Sequence, residues 1–499
     1  MIVDELATQI MQTFGFVPTA DQAEATALFS RFLLDRDGSS VMIMRGSAGT
    51  GKTSLAAAIV KTLVRLRQKV ILLAPTGRAA KVFSVNAGRP AFTIHRRIYR
   101  QKTFAGESTG FSLNDNMYHD TLFIVDEASM IANGAGGEGA VFGTGRLLDD
   151  MVSFVYGGHN CRMMIIGDKA QLPPVGEDES PALMSDFMAG YGLKVYQCDL
   201  NEILRQASGS GILYNATVIR SMITHDEVTR LPKIMFSGFA DIRMVPGGEL
   251  IEQLNSSYAE VGIDETIVIT RSNKRANAYN AGIRGMVLGR EEALSTGDML
   301  MVVRNNYYWA EKAAAEEKAL EENTDGSGGK GSAGKQESQV LPFIANGDRA
   351  LVVRVRNLRE FYGLHFADVW LQFPDYNNYE LMVTAVTDSL MAEAPALTRE
   401  QSEQLFNGVM EDYQDVPLKA DRLKKVRQDP CYNALQIKYA YAVTCHKAQG
   451  GQWAHIYVDQ GYMTDDMLSP DYIHWLYTAF TRATEKLFLV NWPKTQTEG

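Results

Sequence analysis

Short apolar runs without polar alternation punctuate the first 200 residues: VMIMR (41–45), VILLA (70–74), TLFIV (121–125), RMMII (162–166) and LKVYQC (193–198). Helical or turn-rich stretches separate them. Strands that are apolar on both sides belong in a sheet covered on both faces, which predicts an α/β region with parallel strands. The order breaks at residues 100–118, where RQKTFAGESTGFSLNDNMY reads as an inserted β-hairpin with glycine at its turn. A second α/β segment starts near residue 200 and includes the strand ETIVIT (265–270) and the helical run NKRANAYNAGIRGMV. MLMVV (299–303), RALVVRVR (349–356) and ADVWLQF (367–373) then predict a small β-domain. Residues 323–339, NTDGSGGKGSAGKQESQ, are Gly/Ser-rich and predict a disordered linker behind a charged, Ala-rich helix. ALQIKYAYAVT (434–444) reads as a strand that returns the chain to the second α/β unit.

Composition narrows the class. The 499 residues predict about three domains. No run of about 18 apolar residues predicts a membrane span, and the acidic N-terminus is not a secretory signal. The four cysteines, Cys161, Cys198, Cys431 and Cys445, are far apart and suggest neither a zinc site nor a disulfide framework. A cytoplasmic protein, without membrane partners, is expected. The net charge is −10, which by itself argues against nucleic acid. Yet residues 38–106 hold 13 Lys or Arg and no acid, while the rest of the chain carries 36 basic against 59 acidic residues. A basic segment on an acidic chain is either a polyanion site or a solvated face.

Three strand ends carry chemistry. GSAGTGKT, after the first strand and opening a helix, matches the phosphate-binding loop G-x-x-x-x-G-K-[ST]. Gly46, Ser47, Ala48, Gly49, Thr50 and Gly51 would wrap phosphate oxygens with backbone amides, aided by the helix N-terminus at Lys52, Thr53 and Ser54. Lys52 would reach the β- and γ-phosphates of a nucleoside triphosphate, and Thr53 would offer its hydroxyl to Mg²⁺. LFIVDEAS ends a strand in two acids. Asp126 would hold Mg²⁺, and Glu127 would orient or deprotonate the attacking water. MIIGDKAQLPPVG puts Asp168 and Gln171 at a third strand end, with the Gln171 amide placed to sense a γ-phosphate.

In their order, GSAGTGKT, APTGRAAKVF (74–83), TIHR (93–96), VDEASM (125–130), GDKAQLPPVG (167–176), LNEILRQ (200–206), VTCHKAQGGQW (443–453) and YTAFTRA (477–483) resemble the superfamily 1 DNA helicases, and most of all their RecD-like branch with its Dda- and Pif-type relatives. The resemblance implies two RecA-like P-loop domains, with an inserted hairpin and an inserted small β-barrel. Its boundaries would be 1–199 for the first domain with a strand-separating pin at 100–118, 200–295 and 433–499 for the second, and 296–432 for the barrel. It implies ATP and Mg²⁺ as cofactors, a monomer, and single-stranded DNA or tailed duplex as partner. Translocation would run 5′→3′.

By the same resemblance, Gln22 reads adenine, Gly450 joins the nucleotide contacts, and Arg205 and Arg482 are arginine fingers. Pro75, Thr76, Thr93 and His95 match strand-contacting positions of the first domain; Thr444, His446 and Lys447 match those of the second. Hydroxyl and basic groups grip phosphates without reading sequence. Phe83, Phe92, Phe104 and Phe111 are candidates for base stacking, with Phe83 and Phe92 equally suited to the core. The basic run at 418–427 either extends the DNA track or is a solvated helix face, and the second reading is favoured. Gln452 stands where many relatives have Glu, which alters any ribose contact there. With about 20 residues before Gln22, no N-terminal docking domain is expected. Two other readings remain: an ATP-driven DNA clamp that does not unwind, and an RNA-directed motor.

Overall fold

The computed structural model describes residues 2–104, 107–134, 142–202, 209–224, 230–324 and 343–498. Arg205 and most of the 323–339 linker lie outside the described residues. The chain forms two compact units, Met1–Gly247 with Ala448–Gly499, and Gly248–Lys447.

The first unit opens with helices α1 (Ile2–Phe14) and α2 (Ala20–Leu33), then β1 (Ser40–Gly46), α3 (Lys52–Arg65), β2 (Lys69–Ala74), α4 (Gly77–Ala87), β3 (Ala91–Thr93) and α5 (Ile94–Ile98). The hairpin β4 (Tyr99–Phe104) and β5 (Glu107–Leu113) follows, and then β6 (Thr121–Val125), α6 (Leu147–Gly157), β7 (Arg162–Gly167), α7 (Ser185–Ala189) and β8 (Lys194–Leu200). The five apolar runs are all strands of one parallel sheet, ordered β3-β2-β6-β7-β1-β8. The short edge strand β3 carries no apolar run and was not anticipated. Residues of β1 alternate between two cores. Met42 and Met44 pack with Ile10, Phe29 and Leu55 on one face. Val41 and Ile43 pack with Leu148, Met151 and Phe154 on the other. A side-chain period of two feeding two helical layers is why the run shows no polar positions.

The same unit continues with α8 (Gly211–Thr224), the short strand β9 (Ile234–Met235) and β10 (Ile242–Val245). In this part β10 and α8 pack on chain segments that return near the C-terminus.

The second unit holds α9 (Leu250–Glu260), β11 (Thr266–Thr270) and α10 (Asn273–Gly282). Strand β12 (Met299–Val302), helix α11 (Tyr308–Thr324), and strands β13 (Arg349–Phe361), β14 (Leu364–Phe373) and β15 (Tyr379–Val386) come next. Helices α12 (Arg399–Asp412) and α13 (Lys419–Arg427) lead to β16 (Leu435–Tyr439), β17 (Ala442–Thr444) and α14 (Cys445–Ala448). Strands β12 to β16 close a barrel. The expected limit at 432 is thus too early, and 434–444 is not one strand. β16 closes the barrel against β12 and β15, while β17 pairs in parallel with β11. The break falls at Ala440 and Tyr441, where the buried Asn280 amide accepts from Ala442 N at 2.8 Å and donates to the Tyr439 and Ala442 carbonyls. Helix α13 carries the basic run, with Val426 buried and Lys419, Lys424, Lys425 and Arg427 exposed, as a solvated face requires.

Where the barrel begins, Asp298 is fully buried and accepts from Arg284 at 3.0 Å, Arg290 at 2.7 Å, Tyr441 at 2.7 Å and Ser295 N at 2.7 Å. Burial alone would raise its pKa; the Arg284 guanidinium and the other donors outweigh that and hold the carboxyl below its ordinary range.

The chain then returns to the first unit as β18 (Trp453–Asp459), α15 (Pro470–Phe480), β19 (Ala483–Val490) and β20 (Thr497–Glu498). β19 pairs in parallel with β18 and β10, and β20 pairs with β9. Among the described residues no helix is long and apolar enough to cross a membrane.

Removing Asp298 strands two arginines in a buried site. Asp298→Ala should cost about 3–5 kcal/mol, read as a lowered urea midpoint. An unchanged midpoint would contradict the hub assignment.

Candidate nucleotide and nucleic-acid sites

The phosphate loop leaves the carboxyl end of β1, a central strand between β7 and β8. Its turn needs glycine, since Gly49 and Gly51 have φ of 79° and 78°. At Gly46 a Cβ would stand 2.8 Å from Thr50 Oγ1 and 3.0 Å from Lys52 Cγ, so the strand end admits no side chain. Lys52 Nζ donates to the carbonyls of Gly46 at 2.5 Å and Ser47 at 2.8 Å. Thr53 and Ser54 follow in the first turn of α3. Gln22 is fully buried at the start of α2. Its Oε1 accepts from Thr19 N in a capping box, and its Nε2 donates to Thr50 O at 2.9 Å. Gln22 therefore ties a helix start to the phosphate loop.

Two strands from β1, at about 4.8 Å per strand, β6 ends in Asp126 and Glu127. Asp126 N donates to Leu73 O at 3.0 Å, and Glu127 N donates to Asp126 Oδ1 at 2.8 Å. Glu127 sits at φ 52°, ψ 38°, a left-handed conformation that costs a non-glycine residue roughly 1–3 kcal/mol. Such strain at a candidate base fits a side chain aimed by its surroundings. Burial, and then the Glu127 charge, push the Asp126 carboxyl above its ordinary range; the Glu127 amide, Lys52 and Arg482 oppose this. Two adjacent acids that resist sharing negative charge, with the neutral Thr53 hydroxyl at the start of α3, are a donor set suited to Mg²⁺.

The C-terminal part of the unit completes the site. Arg482, just beyond α15, is buried, and its Nη1 lies 3.4 Å from Glu127 Oε1 and 3.3 Å from Gly451 O. Its Nε has no hydrogen-bond partner among the described residues. A buried guanidinium with a donor to spare is poised for a further acceptor. Gly450, with φ 76°, lies where a Cβ would meet Met130 Sδ at 3.0 Å and Thr76 Oγ1 at 3.1 Å. The Gly450–Gly451 turn thus packs against both the β6 end and the start of α4.

The loop after β7 is fastened to α15 by side chains that sequence reasoning passed over. Tyr477 OH donates to Asp168 Oδ2 at 2.6 Å and accepts from Ala48 N at 3.0 Å. Burial, and then the Asp168 charge, hold the Tyr477 phenol far above its ordinary pKa, so it stays a neutral donor. His474 Nδ1 lies 2.9 Å from Ala170 O, Thr478 Oγ1 accepts from Leu172 N at 2.8 Å, and Gln449 Nε2 donates to Leu172 O at 2.6 Å. Gln171 is buried, and its Oε1 accepts from Ser129 Oγ at 3.4 Å. The available signal was helical spacing: Tyr477 and Thr478 lie about one turn before Arg482. Arg220 of α8 was missed too, and no spacing marks it; its Nη1 donates to Ser47 Oγ at 2.7 Å.

The expected strand-contacting groups sit at element starts. Thr76 caps α4 by accepting from Ala79 N, and Thr93 caps α5 by accepting from Arg96 N. Pro75 directly precedes Thr76. The His95 ring lies 4.9 Å from Phe142, and burial lowers its pKa to about 4. His95 is therefore neutral near pH 7 and offers phosphate no charge. In the second unit, Thr444 ends β17, His446 is exposed, and Lys447 Nζ donates to Asn346 Oδ1 in the Asn346–Asp348 turn. Phe83 is buried in the core and cannot stack on a base. Arg97 covers Phe92, with 4.0 Å between guanidinium carbon and ring centre, and Phe111 packs on Phe142. The Phe104 side chain lies outside the described residues.

Residues 36–177 match an AAA domain, and residues 439–490 match a UvrD-like helicase C-terminal domain. The chain is 26% identical over 266 residues to the ATP-dependent DNA helicase dda of Enterobacteria phage T4, covering 52% of this chain and 55% of that one. It is 29% identical over 180 residues to the ATP-dependent RecD2 DNA helicase of Deinococcus radiodurans, covering 36% of this chain and 21% of that one. The match thus spans about half of the phage protein and a fifth of RecD2. A crystal structure of Pif1 helicase from Bacteroides in complex with ADP-AlF3 and ssDNA aligns over 97% of this chain and 95% of that one, at 16% identity and a TM-score of 0.44. The first matched domain carries Lys52, Asp126 and Glu127, and the second carries Arg482, which meets Glu127. The chain is an α/β protein whose matched domains and curated relatives are similar to superfamily 1 helicases of the RecD/Pif/Dda type.

Proposed function

We propose that this protein is an ATP-dependent DNA helicase that moves 5′→3′ along single-stranded DNA and separates duplex ahead of it. The observation that carries the ATPase reading is the meeting of Arg482 with Glu127 beside the phosphate loop. Lys52 and the backbone amides of the loop bind and orient the phosphates. Glu127 orients the attacking water and takes its proton. In the described arrangement Arg482 and Glu127 neutralise each other; releasing Arg482 toward the transferring phosphoryl group frees the base and supplies the finger in one movement. Arg205, in LNEILRQ, is proposed as a second finger from its motif alone. Gln22 would recognise adenine by exchanging one of its two present partners. Asp126 and Thr53 would hold Mg²⁺, which when bound would neutralise phosphate charge. Gln171, joined to Asp168 and Tyr477 through one loop, senses the nucleotide.

On the DNA side, Pro75, Thr76, Thr93, His95, Thr444, His446 and Lys447 are the proposed strand contacts, and the β4–β5 hairpin is the proposed pin. Polarity rests on the resemblance to the RecD-like branch.

Strand displacement with ATP and Mg²⁺ on duplexes tailed 5′ or 3′ tests the whole reading. Unwinding from the 5′ tail alone is expected. Unwinding from the 3′ tail alone would keep the motor and overturn the polarity. Strand-stimulated ATPase without unwinding would favour a clamp, and stronger stimulation by RNA of equal sequence would favour an RNA motor. Lys52→Ala should abolish ATP turnover while strand affinity stays within a few-fold, as read by filter binding; retained turnover would refute the phosphate loop. Arg482→Ala should still bind ATP but hydrolyse it roughly 10³–10⁵-fold more slowly. A loss below about tenfold in single-turnover assays would reduce Arg482 to a structural ion pair.

A further inference from the structure

Arg220 reaches the phosphate loop from a helix outside every recognised motif. Its two terminal nitrogens are both engaged: Nη1 donates to Ser47 Oγ at 2.7 Å and Nη2 to Asn201 Oδ1 at 2.6 Å. Asn201 is itself fixed, because its backbone N–H and that of Glu202 donate to Asp21 Oδ2 at 2.6 and 2.9 Å. Asp21 adjoins Gln22, whose Nε2 donates to Thr50 O at 2.9 Å. Thr50 Oγ1 donates to Ser47 O at 2.8 Å, which brings the path back to its start.

Arg220, Asn201, Asp21, Gln22, Thr50 and Ser47 thus form a closed ring around the phosphate loop, made of hydrogen bonds and the one peptide link from Asp21 to Gln22. The ring grips the loop at Ser47 and Thr50. It also bears on Lys52, whose Nζ donates to the Ser47 carbonyl. The other ring members are neutral or acidic, so Arg220 supplies the positive charge. Its planar fork spans two acceptors that one ammonium would not hold in the same geometry.

We propose that Arg220 is a positioning residue of the nucleotide site: by closing this ring it holds the phosphate loop in its binding shape and sets the affinity for the diphosphate of the nucleotide. This rests on the phosphate-loop reading above. The ring does not include Glu127, the group proposed to orient the attacking water, so its effect falls on ground state and transition state alike. An interaction of that kind governs KM and leaves kcat, the reverse of a finger.

The test uses the full chain as wild type, Arg220→Ala, Arg220→Lys, Ser47→Ala and the double variant Arg220→Ala/Ser47→Ala. Fluorescence anisotropy of mant-ADP gives affinity, and steady-state ATP turnover with single-stranded DNA gives KM and kcat. Arg220→Ala should weaken mant-ADP binding and raise KM by about tenfold, with kcat within about threefold, the size expected for a charged hydrogen bond. Arg220→Lys should recover part of the loss. In the Ser47→Ala background, Arg220→Ala should cost less than about threefold, because its partner is already gone. A hundredfold fall in kcat at unchanged affinity would make Arg220 a finger and overturn the proposal. Unchanged affinity, or an undiminished effect without Ser47, would overturn it as well. If Arg220→Ala does not fold, Arg220→Lys and Ser47→Ala carry the same comparison, and wild-type affinity in both overturns the proposal. A wild type that binds no mant-ADP would instead overturn the phosphate-loop reading itself.

Discussion

A parallel sheet covered on both faces confines polar chemistry to its ends. In the first unit, β1 sends Val41 and Ile43 into one core and Met42 and Met44 into the other. Its neighbour β7, and β6 beyond β7, are buried along their whole length. No catalytic group can sit within such strands without an unpaid desolvation cost. The chain therefore turns polar at the carboxyl ends, where Asp126, Asp168 and the loop from Gly46 mark the ends of the successive strands β6, β7 and β1. The phosphate loop, the paired acids and the sensor loop stand together because the strands that end in them are neighbours.

Those strand ends are then held by side chains from the other end of the chain. Tyr477, Thr478 and His474 present one side of α15 to the loop after β7, and Arg482 follows one turn later. Gly450 fits against Met130 and Thr76 because it carries no side chain, and a Cβ at Gly451 would run into the Trp453 ring. Through Gly451 O, Arg482 is hydrogen-bonded to the same turn that packs on Thr76. The groups proposed to hydrolyse ATP and one group proposed to grip the strand thus share a rigid contact. That is the kind of link by which a change at phosphate would be felt at DNA.

The second unit solves a different problem, the insertion of a closed barrel into a parallel layer. Chain enters at β12 and leaves at β16, and both crossings place backbone polar groups out of reach of water. Asp298 satisfies Ser295 N and pairs with two arginines at the entry, while Asn280 satisfies three backbone groups at the exit. Buried polar groups of this sort are kept because each one is fully paired. Lys447 joins the barrel's Asn346 turn to the end of the β17 segment within the same unit.

The amino-acid sequence by itself determined the five buried strands, the hairpin, the barrel strands and the phosphate loop. In each of these the signal is local: an apolar run, a glycine turn, or a fixed spacing opening a helix. Its motifs also singled out Lys52, Asp126, Glu127, Gln171 and Arg482 as candidates. What sequence could not separate was one strand from two at 434–444, because the apolar pattern is continuous while the partners differ on either side of Ala440. Nor could it tell core from contact at Phe83, since burial is a property of neighbours. Tyr477, His474 and Arg220 remained silent for the same reason. Each owes its place to a hydrogen bond across more than 170 residues of chain, and such partners are chosen only when the tertiary structure brings them together.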